Sequence, residues 1–315
     1  MRIDALIAYM QMAVDAVASS PHPTNKIAAT IAGGSEKSAP FAITQTNHWP
    51  QAIANTIGTG PEIGNSSGTL HAETACIFEA LRLQRPTQNA AIFITDPPCP
   101  NCMKNLAESG ITKLYIDHKG FDKDWSKRRG ESFEQMSLRI AAKAGIDVHV
   151  LYRKESRFEI ISKRTADYKP NNENPPLIHS ELENFESALK RAKSAHNGEI
   201  FALALAQDSE ENPLTLSVGI HPTIGYSYES LDDQQNKYSF LLQPLNRLLM
   251  IAARNGYKLE PNSIYSSSCP TARELVNFVG AGFEILHIEH EKTARDQFGP
   301  LALAQLTKAG ILQSL

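Results

Sequence analysis

The sequence predicts an α/β protein built as three-layer α/β/α units, helices on both faces of a sheet, used twice in tandem. Three observations lead there. The chain has 315 residues, about twice the ~150 that one compact domain needs. Short apolar runs alternate with helix-spaced patterns, the mark of parallel strands joined by helical crossovers. The same order of elements then recurs after a stretch rich in Pro and Asn.

Each element has its reason. Ile3, Leu6, Ile7, Met10, Ala13, Val14 and Val17 recur at helical spacing, so a helix over 3–19 should stop at Ser19-Ser20-Pro21. Strands over 27–33 and 39–46, divided by the Gly33-Gly34-Ser35 turn, read as a hairpin. From Trp49 to Thr69 the residues are mostly small or polar without periodicity. A loop of about twenty residues in a compact domain is usually functional, so it is expected to shape a pocket. Helices over 70–84, 99–109 and 129–144 then alternate with strands over 90–95, 113–117 and 146–152.

The Pro- and Asn-rich run beginning at Ala166 divides the chain into residues 1–165, a linker over 166–180, and residues 181–315. The second part is expected to hold helices at 181–196, 238–255, 271–281 and from about 298, with strands at 199–207, 214–220, 263–267 and 283–289. Residues Ile92 to Ile116 can be laid without gaps on Ile264 to Ile288, strand, helix, Gly and strand in register. In that register His71, Glu73, Cys99 and Cys102 meet Gln243, Leu245, Thr271 and Glu274, so the second copy is expected to lack the metal ligands of the first.

Composition narrows the classes. With 42% hydrophobic and 21% charged residues the chain is neither collagen-like nor wholly disordered. No apolar run approaches the ~18 residues of a spanning helix and the start lacks a signal peptide's apolar block, so a soluble, cytoplasmic protein is expected, with no membrane partner. A net charge of −3 disfavours tight sequence-independent nucleic-acid binding. The basic run Lys119, Lys123, Lys127, Arg128 and Arg129 is interleaved with Asp117, Asp122, Asp124 and Glu131, as in a solvated mixed-charge surface. Cysteines 76, 99, 102 and 269 are too few for a disulfide framework, and two form a C-x-x-C.

Leu70-His71-Ala72-Glu73 and Pro97-Pro98-Cys99-Pro100-Asn101-Cys102 carry the chemistry. One imidazole and two thiolates are the ligand set of a catalytic zinc whose fourth position stays open for water. Cys99 and Cys102, three residues apart in a first helical turn, can face one ion, and the positive end of that helix favours thiolate. Pro100 suits the helix start because the N–H it lacks would be unpaired there anyway. Glu73, two residues from His71, is placed beside the metal to take a proton from its water. A structural site closed by Cys76 or His118 is the alternative; Cys76 falls on an amphipathic helix, where a small core role suits it.

H-A-E followed by P-C-x-x-C resembles the zinc-dependent cytidine and deoxycytidylate deaminase superfamily, which includes tRNA adenosine and guanine deaminases. The resemblance covers residues 1–152. It implies a cytidine deaminase-like fold, one zinc on His71, Cys99 and Cys102, and Glu73 as proton shuttle. Thr46-Asn47-His48-Trp49-Pro50 is similar to the segment holding the family's substrate-contacting Asn, which implies that Asn47 binds substrate. Ile27–Ala32 departs from the family's Val-Gly-Ala-Val. Ala144–Val150 is similar to the last strand of the deoxycytidylate and tRNA-deaminase branch, where it runs parallel to its neighbour.

Hydrolytic deamination of a small cytosine-type nucleoside or nucleotide is therefore the leading expectation. The alternatives are tRNA or RNA editing, or deamination of a purine base, with the second half as binding platform, and a non-enzymatic zinc-binding module. The second half is expected to pair with the first as an intrachain pseudo-dimer, and homo-oligomers of the chain are compatible with this.

Overall fold

The computed structural model describes residues 2–35, 38–121, 131–228, 239–290 and 293–315; most of the basic run after Lys119 lies outside them. Helix α1 (Ile3–Ala16) leads into a hairpin of β1 (Ala28–Ser35) and β2 (Ser38–Thr46). Then come α2 (Gln51–Thr56), α3 (Ala72–Arg82), β3 (Ala91–Ile94), α4 (Pro100–Glu108), β4 (Lys113–Asp117), α5 (Glu131–Ala144), β5 (Asp147–Tyr152) and β6 (Arg157–Ser162). The first sheet has the order β2-β1-β3-β4-β5-β6. β1 is antiparallel to β2 and β3, and β3, β4 and β5 are mutually parallel, as expected of the last strand.

The remaining elements are β7 (Leu177–His179), α6 (Phe185–His196), β8 (Phe201–Gln207), β9 (Pro213–Gly219), β10 (His221–Pro222), β11 (Leu241–Leu242), α7 (Pro244–Asn255), β12 (Lys258–Ser266), α8 (Ala272–Gly280), β13 (Ile285–Ile288), α9 (Phe298–Lys308) and β14 (Gln313–Ser314). The second sheet runs β14-β13-β12-β8-β9-β7. Its hairpin β8–β9, antiparallel β8–β12 contact and parallel β12–β13 and β13–β14 contacts reproduce the directions in β1–β2, β1–β3, β3–β4 and β4–β5. Residue pairing agrees as well. Phe93 lies opposite Tyr115 and Ile94 opposite Ile116, while Tyr265 lies opposite His287 and Ser266 opposite Ile288, the pairs that the gapless overlay equates.

Two-residue alternation along the strands explains the layers. Ala91 and Phe93 join Tyr115 and Leu151 under Leu6 and Met10 of α1, whereas Ile92, Ile94, Leu114, Ile116 and Val148 face the opposite side with α3, α4 and α5. In the second half Phe201, Leu203 and Tyr265 face Ala188 and Ala192 of α6, and Ala202, Ala204, Ile264 and Leu286 face α7, α8 and α9. The two inner helical layers share one continuous apolar core, with α3 packed on α7 and α8 and α4 on α7.

Several elements differ from expectation. The loop after Trp49 contains the short helix α2. The helix expected over 238–255 begins at Pro244: proline fixes the first helical turn there, and Leu241–Leu242 pair with His221–Pro222 instead. The stretch read as a linker holds β7, which is antiparallel to β9 at the sheet edge, and β6 adds an antiparallel edge to the first sheet. Leu177 and Ile178 are too few to register as a periodic pattern. Among the described residues no helix is long and apolar enough to cross a membrane.

Candidate metal centre

The two chemistry-bearing motifs meet at two helix starts. His71 is the N-cap of α3; its backbone is extended and its imidazole makes no capping bond. Cys99 is the N-cap of α4, with Pro100 following it in the first turn, and its Sγ accepts from the Cys102 N–H at 3.4 Å. β3 ends just before Pro97-Pro98 and so delivers α4 beside α3. The His71 Nδ1 lies 3.6 Å from Cys99 Sγ and 3.2 Å from Cys102 Sγ, and the three ligand atoms fall within 4.8 Å of one another. Zinc–sulfur and zinc–nitrogen bonds of about 2.3 and 2.0–2.1 Å in a tetrahedron separate N and S by about 3.5 Å. The donor set and its spacing therefore fit zinc.

The surroundings suit thiolates. The Cys102 thiol donating to Cys99, helped by the neighbouring His71 and the Cys102 N–H, holds Cys99 well below the usual thiol range although burial opposes this. Cys102 is pushed up by sharing that proton with Cys99 and by burial. Zinc supplies the charge that would let both ionise. Thr74 Oγ1 lies 4.0 Å from Cys102 Sγ and accepts from Asn105 Nδ2 at 3.4 Å, so a hydroxyl held by α4 faces the second sulfur. Glu73 is buried in the first turn of α3, close enough for its charge to raise Cys102, and stands outside the ligand trio.

The remaining candidates lie elsewhere. Cys76 is fully buried, donates to Ala29 O at 3.2 Å, and burial pushes its thiol up. His118 approaches Asp117 at 3.2 Å. Neither belongs to the cluster found among the described residues. Cys269 is buried in the second half. Asn47 follows the last residue of β2, and its neighbour His48 bridges Leu70, the residue before His71. Its own amide is engaged in the fold: Oδ1 accepts from Ser20 Oγ at 2.8 Å and Ile27 N at 2.9 Å, and Nδ2 donates to Asn25 O at 2.7 Å. Sequence reasoning missed His22, stacked on Trp49 at 5.4 Å; no local pattern marks it. It also missed Thr74 and Asn105, although Asn105 follows Cys102 by one helical turn.

At the equivalent place in the second half Gln243 is the N-cap of α7 and Thr271 that of α8. Glu274 stands where Cys102 stands. Its Oε2 accepts from the Thr271 N–H and hydroxyl, each at 2.9 Å, and its Oε1 from Leu245 N at 3.0 Å and Asn246 N at 3.3 Å. One buried carboxylate thus ties together two helix starts. Burial pushes its pKa up, while these hydrogen bonds pull the other way. Asn277 Nδ2 donates to Asn246 Oδ1 at 2.9 Å, the counterpart of Asn105 on Thr74.

Known proteins similar to this chain are deaminases by name. Residues 4–118 match the cytidine and deoxycytidylate deaminase zinc-binding region. An uncharacterized deaminase in the luxG 3' region of Aliivibrio fischeri is 28% identical over 140 residues, covering 44% of this chain and 88% of that protein. The deoxycytidylate deaminase of Enterobacteria phage T2 is 40% identical over 50 residues, 16% of this chain and 27% of that one. A dCMP deaminase structure from the cyanophage S-TIM5, in complex with dCMP and dUMP, aligns with TM-score 0.35 and 19% identity over 48% of this chain and 99% of that one. The matched residues 4–118 carry His71, Cys99 and Cys102, so this region of the chain is similar to the zinc-binding region of cytidine and deoxycytidylate deaminases.

Proposed function

We propose that the protein is a hydrolytic deaminase of a cytosine-type nucleoside or nucleotide, with one active site at His71, Cys99 and Cys102. The observation that carries this is the convergence of three metal-ligand atoms within 4.8 Å beside the buried carboxylate of Glu73. A structural site has no use for such a carboxylate, and three protein ligands leave a fourth position for water. The phage deoxycytidylate deaminases, similar over 50 residues, favour a cytosine nucleotide within this class.

His71, Cys99 and Cys102 would hold the zinc, which when bound lowers the pKa of a coordinated water toward 7. Glu73 carries one proton from the attacking water to the ring nitrogen beside the amino-bearing carbon, and then carries the second, from the newly added hydroxyl, to the departing amine. Water adds, ammonia leaves, and the amino-bearing carbon becomes a carbonyl. Asn47, just after β2, is the proposed substrate contact. Because its amide already joins Ser20, Asn25 and Ile27, it would act by holding this corner of the site, with only its remaining hydrogen-bonding capacity for the ligand.

The two parts, residues 1–165 and 181–315, are read as a catalytic and a degenerate deaminase-like unit paired within one chain. The shared sheet order and the replacement of the ligands by Gln243, Thr271 and Glu274 support this. The test is ammonia release by zinc-loaded protein across cytosine and purine bases, nucleosides, nucleotides and tRNA. Turnover of a cytosine nucleoside or nucleotide that Glu73→Gln abolishes is expected; turnover only of a purine or of RNA would move the assignment to that branch.

A further inference from the structure

The segment that delivers His71 is held from the other half of the chain. Gly64 N donates to Gln305 Oε1 of α9 at 2.7 Å. Arg273, in the first turn of α8, donates through Nη1 to Thr69 O at 2.5 Å and through Nη2 to Ser67 Oγ at 3.5 Å, and is 204 residues from Thr69 in sequence. Leu70 is buried against the end of α8, where a Cβ on Gly280 would lie 2.6 Å from both Leu70 methyl carbons. Backbone, hydroxyl and side chain from residue 64 to residue 70 therefore dock on α8 and α9. The first half adds the paired N–H···O bonds between His48 and Leu70, at 3.2 and 2.7 Å.

The arrangement is reciprocal. Lys104 of α4 donates to Ser239 O at 2.7 Å and Leu241 O at 3.0 Å, and the Arg139 guanidinium lies 5.2 Å from the Phe240 ring centre. In each half the stretch leading to the N-cap of the inner helix rests on the other half. Behind Leu241 the N-cap is Gln243, and Glu274 joins the helices without a metal. Behind Leu70 the N-cap is His71, which groups with Cys99 and Cys102.

We infer that the second half completes the metal centre, with Arg273 and Gly280 as positioning residues that set His71 relative to Cys99 and Cys102. This rests on the reading of His71 as a zinc ligand. An N-cap side chain takes its direction from the extended residue that carries it, and that residue inherits its place from Thr69 and Leu70. Removing the guanidinium frees Thr69 O, and adding a methyl group at residue 280 displaces Leu70. Both disturb the ligand without touching it, and outer groups that orient a metal ligand typically contribute 10–100-fold in metal affinity or activity.

The test uses the full chain as wild type and as Arg273→Ala, Arg273→Lys, Gly280→Ala and Gln305→Ala. Zinc loss to a chelator, the absorption spectrum of the cobalt-substituted protein and kcat and KM are measured, with thermal unfolding of the zinc-free forms as control. Arg273→Ala and Gly280→Ala are expected to lose zinc at least about 10-fold faster and to shift the cobalt bands, with kcat falling more than KM changes. Arg273→Lys should recover part of the loss by restoring one donor to Thr69 O. If Arg273→Ala fails to fold, Gln305→Ala and Gly280→Ala carry the same measurements. Wild-type zinc loss and cobalt spectra in the folded variants would overturn the inference. Failure of the deamination assay leaves the zinc and cobalt readouts intact and would count against the proposed reaction alone; a cobalt spectrum unchanged by His71→Ala would remove the ligand reading beneath both.

Discussion

The Arg247 guanidinium and the Glu108 carboxylate meet at 2.8 Å with both side chains almost wholly buried, joining α7 of the second half to α4 of the first. Arg247 also donates to Gly219 O and Asn174 O. Four segments therefore converge on one charge in the shared core. Removing one partner leaves the other charge buried and unpaired, which costs about 3–5 kcal/mol. Arg247→Ala or Glu108→Ala should lower the free energy of urea unfolding by that amount, and Arg247→Met with Glu108→Leu should destabilise less than either. A loss below about 1 kcal/mol for both single variants would show that the pair does not join the halves.

Zinc content should be one ion per chain, measured by elemental analysis. His71→Ala, Cys99→Ser or Cys102→Ser should reduce it to near zero after dialysis, because each removes one of three protein ligands. Glu73→Gln should keep the ion while activity falls about 10²–10⁴-fold, the scale of a lost proton shuttle. Zinc loss in Glu73→Gln would make Glu73 a ligand instead.

A second metal centre should be recoverable. Gln243, Thr271 and Glu274 occupy the N-cap of α7 and the N-cap and third helical position of α8, where the first half carries His71, Cys99 and Cys102. The triple variant Gln243→His, Thr271→Cys, Glu274→Cys is expected to bind a second zinc. A folded triple variant that still binds one ion would show that the two sets of helix starts are not equivalent in space.

Acid should weaken the fold through a histidine. His221 is buried and accepts from Asn174 N at 2.9 Å; burial, aided by the neighbouring Arg247, pulls it down to about 4. Its ordinary value in the unfolded chain is near 6.5, so the unfolded state takes the proton first. The stability this neutral histidine carries is complete above about pH 6.5 and is lost as the pH falls toward 4, to the order of 3 kcal/mol. His149 and His196, also pulled down by burial, act in the same direction. Urea unfolding between pH 7 and 4 should show this loss, and His221→Asn should flatten it.

The site was legible where chemistry is local. Cys99 and Cys102 share a helical turn, and His71 and Glu73 share another, so residue type and spacing marked them without a fold. The gapless overlay of Ile92–Ile116 on Ile264–Ile288 was equally readable, because strand, helix and turn signals are short-range. Residues 177–179 were read as linker because three residues carry no period, and they form a strand only by pairing with β9. The helix expected from residue 238 starts at Pro244 because the pairing of Leu241 and Leu242 with His221 and Pro222 takes precedence over helical spacing.

Read alone, the amino-acid sequence placed one imidazole and two thiols at helix starts, laid out the parallel strands, and put Gln243, Thr271 and Glu274 at the matching positions of the second half, since each follows from residue chemistry and periodicity within about thirty residues. Only the tertiary structure decided that Glu274 ties the second pair of helix starts, that Arg247 finds Glu108, and that Arg273, Gln305 and Gly280 hold the stretch before His71. Glu274 reaches across 28 and 29 positions to Asn246 and Leu245, and the other contacts join residues more than a hundred positions apart across the inner helical layers. Nothing in local spacing encodes them, because the packing of two sheets around one core brings them together.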